Sequence, residues 1–168
     1  IHLSGHGPIS RRFTLAAHLN MGRRMCVVTD VSRFGLGGII TLDGAIIGWF
    51  ACDITQWDCD LLQVAWGTSN AQQCFEGLAA LVALRLWAPL GMNMRCSLEF
   101  KSDSMAGLVM VANLRGRSPG LSLLAQDVAL GFGISSYEPD AVTHTPGVMN
   151  VTADHLSRKH DPAKAPWQ

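Results

Sequence analysis

At 168 residues the chain is long enough for one domain with a real hydrophobic core, and 48% hydrophobic against 15% charged residues is ordinary globular composition. Its 13 Lys and Arg offset 13 Asp and Glu; a net charge of zero counts against an autonomous, tight nucleic-acid module, though not against a catalytic domain tethered to a larger binder. No apolar run reaches the roughly 18 residues that a membrane span needs: Leu78 to Leu90 is broken by Arg85 and stopped by Pro89. The five cysteines, Cys26, Cys52, Cys59, Cys74 and Cys96, are odd in number and have no CxxC spacing, which argues against zinc or a disulfide framework. Free thiols in apolar runs point to an intracellular, reducing compartment, cytoplasm or nucleus. No signal-peptide pattern is read, and Ile1 in place of an initiator methionine suggests a piece of a longer polypeptide.

In chain order, residues 1–24 are mixed, with Gly5, Gly7, Pro8 and two Arg pairs, and are read as a linker or the tail of an upstream region. A domain is expected over residues 25–158. Met25–Val31 predicts a strand, Ser32 to Gly38 a turn, and Gly38–Leu42 a returning strand. Asp43-Gly44 is a two-residue hairpin signal leading into a third strand, Ala45–Cys52. The stretch 53–68 reads as irregular, anchored by Trp57 and Trp66; Trp49 and Trp87 also read as core or loop anchors. Ser69 or Asn70 caps a helix over 69–88, ended by Pro89. Then come a strand over 95–102, a short helix over 104–114, the loop Arg115-Gly-Arg117, and a helix from Pro119 to about Leu130 closed by Gly131 and Gly133. A weaker strand spans 134–143, Asn150 caps a last helix to about Arg158, and 159–168 is read as a frayed tail. Three sequential strands and then helical crossovers predict an α/β fold. Its mixed five-stranded sheet would be an antiparallel meander plus parallel strands, with helices on both faces.

Four acids stand in four distinct settings: Asp30 near the end of the first strand, Glu76 in the long helix, Asp103 after the fourth strand, and Asp154 in the last helix. Each has an ordinary explanation by itself. Asp30 suits a strand-end turn, Glu76 a solvated helix face, Asp103 an N-cap, and Asp154 a first helical turn. Glu76, however, stands in an apolar segment, where a carboxylate is costly unless paired or bound to a metal. Carboxylates that converge from such places form the hard oxygen set that Mg²⁺ requires. Two such ions about 3.5–4 Å apart clamp the attacking and leaving oxygens of a phosphodiester. The leading expectation is a metal-dependent nuclease.

The ordered motifs resemble the ribonuclease H domain of retroviral and retrotransposon reverse transcriptases, within the RNase H-like superfamily. They are Thr29-Asp30-Val-Ser32 with Phe34-Gly-Leu-Gly-Gly38, Gln72-Gln73-Cys-Phe-Glu76, Ser102-Asp103-Ser104, and His144-Thr-Pro-Gly147 with Asn150, Ala153-Asp154 and Leu156-Ser-Arg158. Val31 departs from the more usual small residue after the first acid, and the 154 − 103 = 51 positions from Asp103 to Asp154 leave no room for an extra basic helix. The resemblance implies hydrolysis of the RNA strand of RNA/DNA hybrids with two Mg²⁺ ions, for which Mn²⁺ can substitute. It implies that Asp30 bridges both ions, Glu76 and Asp103 complete one site and Asp154 the other, and His144 shuttles a proton or aids product release. Ser32 and Asn150 become candidates for contacts to the hybrid, and Arg115 and Arg117 for its phosphates. The polymerase region of the same polyprotein is the expected partner. A catalytically silent domain of the same origin, another superfamily nuclease and a plain interaction domain stay open as alternatives.

Overall fold

The computed structural model describes residues 22–92, 96–135, 139–147 and 150–163. Strands β1 (Arg23–Ser32), β2 (Gly35–Leu42) and β3 (Ala45–Cys52) form the expected antiparallel meander. Helices α1 (Gln56–Leu62) and α2 (Ser69–Met92) lead to β4 (Cys96–Ser102), then α3 (Met105–Asn113), α4 (Pro119–Ser135), β5 (Ala141–His144) and α5 (Val151–Ser157). The sheet order is β3-β2-β1-β4-β5, with β4 parallel to β1 and β5 parallel to β4. The mixed five-stranded α/β sheet is therefore the observed architecture. Asp43 and Gly44 both have positive φ, 52° and 87°, as a two-residue hairpin turn requires.

Period-two alternation sorts β1 into two faces. Met25, Val27 and Val31 join the main core with Cys74, Phe75, Ala79 and Leu84 of α2 and Leu121 and Leu124 of α4. Phe50 closes this core against Trp87, their ring centroids 5.7 Å apart. The opposite face presents Asp30 and Ser32 to α5. Their antiparallel partners on β2 are Gly37 and Gly35. A Cβ on Gly37 would lie 2.4 Å from Ser157 N and 2.5 Å from Ala153 O, so only glycine admits α5 this close to the sheet. Gly37→Ala is expected to destabilise by about 1–3 kcal/mol through this overpacking. Gly131→Ala, where a Cβ meets nothing, should instead be neutral or stabilising by up to about 1 kcal/mol. Urea melts of both variants test the contrast, and equal shifts would contradict the close approach.

Several local expectations are corrected. The first turn is only Arg33-Phe34; the glycines that follow belong to β2, where α5 needs Gly37, while Cys52 O crowds Gly35 and the Phe50 ring crowds Gly38. Arg23 and Arg24 lie in β1, paired with Cys96 and Ser97, whereas residues 1–21 of the expected linker fall outside the described residues. The stretch read as irregular contains α1. Thr55 and Asp58 form a reciprocal capping box there, and Cys59 and Leu62 turn inward. Helix α2 passes Pro89 to Met92: proline deletes one intrahelical bond, and buried Leu84 and Trp87 hold the preceding turns. Helix α4 likewise runs through Gly131 and Gly133, anchored by buried Val128 and Phe132, which leaves β5 shorter than expected. Trp87 is buried, but Trp57 is 68% exposed and anchors nothing in the core. Trp49 is exposed under the Lys159 ammonium, and Trp66 leans on Phe75 from the surface. The five cysteines are all free. Among the described residues no helix is long and apolar enough to cross a membrane.

Candidate active site

The parallel strands fix where chemistry can gather. Thr29 of β1 stands in register with Ser102 of β4, and Ser102 with His144 of β5. Asp30 and Asp103 each follow a register-matched residue, so the two carboxylates emerge side by side at the carboxyl ends of neighbouring parallel strands. That edge is the usual ligand position in α/β sheets. Asp103 is not the N-cap of α3. Ser104 takes that role, its Oγ accepting from Gly107 N at 3.4 Å, which leaves the Asp103 carboxylate out of the cap.

Glu76 reaches the same edge from α2 and is 6% exposed, not a solvated helix residue. Gln72, one turn earlier, donates from Nε2 to Glu76 Oε1 at 3.1 Å and approaches Val31 O at 3.5 Å, joining α2 to the end of β1. Glu76 Oε2 is buried with no hydrogen-bond partner. Asp154 arrives from the other face on α5, where Arg158 Nε donates to its Oδ1 at 2.6 Å. His144 is exposed at the end of β5, and the loop beyond it crosses Asp103: a Cβ on Gly147 would lie 3.3 Å from Asp103 Oδ2. Residues 148–149 lie outside the described residues.

The electrostatics express this crowding. Burial pushes the Asp30 carboxyl up to about 6; the Ser157 hydrogen bond opposes this, and the Asp103 and Asp154 charges add to it. Burial pushes Glu76 up to about 8, with further repulsion from Asp103 and Asp30 and partial relief from Gln72. Asp103 and Asp154 thus bear on Asp30, and Asp103 and Asp30 on Glu76. Like charges at such range repel, and among the described residues no three are drawn tightly enough to make a ready-made metal cage. The donor set is nonetheless the right kind for a hard divalent cation. It is all carboxylate oxygen, and it includes a buried, unpartnered oxygen that a cation would satisfy.

Not every candidate faces this site openly. Ser32 is buried, and its hydroxyl donates to Ser157 O at 2.6 Å, so it braces α5. Asn150 is 2% exposed and makes no side-chain cap; its Nδ2 donates to Thr29 O at 3.1 Å and to Asp30 Oδ1 at 3.2 Å. Arg115 and Arg117 are exposed on the α3–α4 loop, beyond the far end of α3 from Asp103. Sequence reasoning gave no role to Ser157, whose Oγ lies 2.8 Å from Asp30 Oδ2, or to Arg158 as the partner of Asp154. Both stand in the Leu156-Ser-Arg158 motif, but nothing in their spacing alone shows which strand they meet.

Sheet order, crossovers and acid edge together define an RNase H-like fold. The chain is similar to LC11-RNase H1, isolated from compost by a metagenomic approach, with a TM-score of 0.62 and 19% identity over 82% of this chain and 94% of that one. A second structure, LC11-RNase H1 in complex with an RNA/DNA hybrid, gives a TM-score of 0.60 and 17% identity over 80% and 92% of the two chains. RNase H1 from the halophilic archaeon Halobacterium salinarum gives 0.56 and 16% over 82% and 96%. No protein-family model and no curated protein sequence matches the chain.

Proposed function

We propose that this chain is a metal-dependent ribonuclease H that hydrolyses the RNA strand of RNA/DNA hybrids. The observation that carries the reading is the placement of Asp30 and Asp103 after register-matched residues on adjacent parallel strands, with buried Glu76 coupled to both and Asp154 coupled to Asp30. An RNase H-like fold with a solved neighbour bound to an RNA/DNA hybrid supports it.

Asp30, Glu76, Asp103 and Asp154 are the residues that would hold divalent cations, two Mg²⁺ or Mn²⁺ in the two-metal reading. When bound, such ions supply Lewis-acid activation of water and stabilisation of the departing 3′ oxygen. The protein keeps Asp30 and Glu76 out of bulk water, which strengthens the pull of their charge on a cation. His144, exposed one strand from Asp103, would shuttle a proton or help product leave. Choice of the RNA strand requires contacts to 2′-hydroxyls, and Arg115 and Arg117 are retained only as candidates for outlying phosphates.

The motif set around His144 and Asp154 favours an origin in a retroelement reverse transcriptase, working in a reducing, intracellular compartment. The polymerase region would be the partner that adds grip on the hybrid. The neutral charge, and the span between Asp103 and Asp154 occupied by α3, α4 and β5, agree with that dependence. Cleavage of a labelled RNA strand in a hybrid, with Mg²⁺ or Mn²⁺, is the test. RNA-strand cleavage that is lost in EDTA and in Asp103→Asn is expected. No cleavage even at high enzyme concentration, with the upstream region attached, would favour a catalytically silent domain.

A further inference from the structure

Both oxygens of the Asp30 carboxylate are held from the same short helix and its lead-in. Asn150 Nδ2 donates to Oδ1 at 3.2 Å, and Ser157 Oγ donates to Oδ2 at 2.8 Å, from 127 residues away in sequence. Ser157 is fully buried. Its hydroxyl also lies 2.9 Å from Asp154 O, but it has one proton for two acceptors, and a carboxylate is the stronger acceptor. The backbone of the same residue accepts from Ser32 Oγ at 2.6 Å. This contact exists because Gly37 lets α5 rest on β2 without a side chain between them.

We propose that Ser157 is a positioning residue that fixes the Asp30 carboxylate for divalent-cation binding, coupling the seating of α5 on the sheet to the metal affinity of the site. The inference rests on the metal-dependent reading above. Asp30 has two oxygens and a freely turning carboxylate plane; two donors on opposite oxygens fix that plane before a cation arrives. A hydroxyl can do this without adding charge, so it orients Asp30 without competing for its role. Groups that orient ligands in this way typically contribute about 10–100-fold to metal affinity or activity.

The test uses the full chain and measures Mn²⁺ binding by calorimetry beside hybrid cleavage. Ser157→Ala is expected to weaken Mn²⁺ affinity roughly 10–100-fold and to raise the Mg²⁺ concentration for half-maximal cleavage in parallel. Much of the turnover should return at saturating metal. Thr55→Ala removes the capping box at the start of α1, where the Thr55 side chain bonds Asp58 and not α5 or Asp30. It should lower thermal stability comparably while leaving Mn²⁺ affinity within about twofold, since only the orienting bond is asked to supply the larger factor. Should Ser157→Ala bind Mn²⁺ like the wild type, or should both variants weaken binding equally, Ser157 is merely structural and the inference is overturned. A wild-type chain that neither binds Mn²⁺ nor cleaves would overturn the nuclease reading itself, and the inference with it. Wild-type binding with unaltered Ser157→Ala binding overturns the inference alone.

Discussion

Asp30→Asn is expected to abolish metal-dependent cleavage, with a loss of about three orders of magnitude or more, while leaving the fold intact. Asp103 and Asp154 both act electrostatically on Asp30, and Asp30 acts on Glu76, so it is the carboxylate common to all the others. Removing its charge takes one ligand from every plausible cation position at once. Metal stabilisation of phosphoryl charge is worth several kcal/mol, and each 1.36 kcal/mol is a factor of ten in rate. The fold should survive because an asparagine fits the same cradle. Its Oδ1 can accept from Asn150, and its amide can donate to Ser157 Oγ, a hydroxyl that accepts as well as donates. Removal of a buried, repelled charge also favours folding. Asp53→Asn is the matched control, since Asp53 is exposed and pairs with His160 at the surface; its cleavage rate should stay within about twofold, as surface pairs contribute little. Single-turnover cleavage of a hybrid by the three proteins decides the matter. An Asp30→Asn variant within tenfold of the wild type would sink the assignment.

What could be read in the chain divides along physical lines. The Asp43-Gly44 hairpin and the Ser118-Pro119 helix start are local signals, and both are present because turn and cap chemistry needs only a few adjacent residues. Helix α1 was also legible, since Thr55 and Asp58 carry the capping-box spacing, but its mixed polarity hid it. Pro89 and Gly131 misled for the opposite reason: each disfavours helix locally, and tertiary packing of Trp87 and Phe132 overrode the preference. At the site, the four acids were legible as an ordered set, whereas their burial was not. Glu76 as an isolated residue looks like a surface acid, and only the seating of α2 against the end of β1 makes it a buried one. The burial of Ser32 and Asn150, candidates for contacts to the hybrid, is not legible because sequence order says nothing about which helix will cover them. The covering depends on Gly37 lying opposite Asp30 across β1 and β2, a register that exists only once the sheet has formed.

In the presence of EDTA, the stability of the wild-type domain should fall as pH rises from about 4.5 to about 8, and Glu76→Gln should remove most of that slope. A carboxylate whose folded pKa exceeds its unfolded one keeps its proton in the folded state after the unfolded chain has lost it. The folded state then binds more protons, and stability declines with pH. Glu76 moves from 4.5 to about 8, so its contribution is fully present below about 4.5 and is lost as pH passes 8. Asp30 adds a shallower decline between 3.8 and about 6. Above pH 6 the remaining dependence belongs to Glu76, at most about 1.4 kcal/mol per pH unit for one group. Glutamine keeps an acceptor for Gln72 Nε2 but has no charge to bury, so the variant should be more stable than the wild type by about 2–4 kcal/mol at pH 8 and nearly equal to it at pH 5. Urea melts at pH 5, 6.5 and 8 read this directly, and parallel wild-type and variant slopes would refute it. Divalent metal provides the converse measurement. A cation bound to the ionised acids favours the folded state by mass action, so Mn²⁺ at pH 8 should recover stability in the wild type and recover less in Glu76→Gln. The burial that makes Glu76 unfavourable in the free protein is thus what makes the site bind cations once it is ionised, and one residue carries both effects.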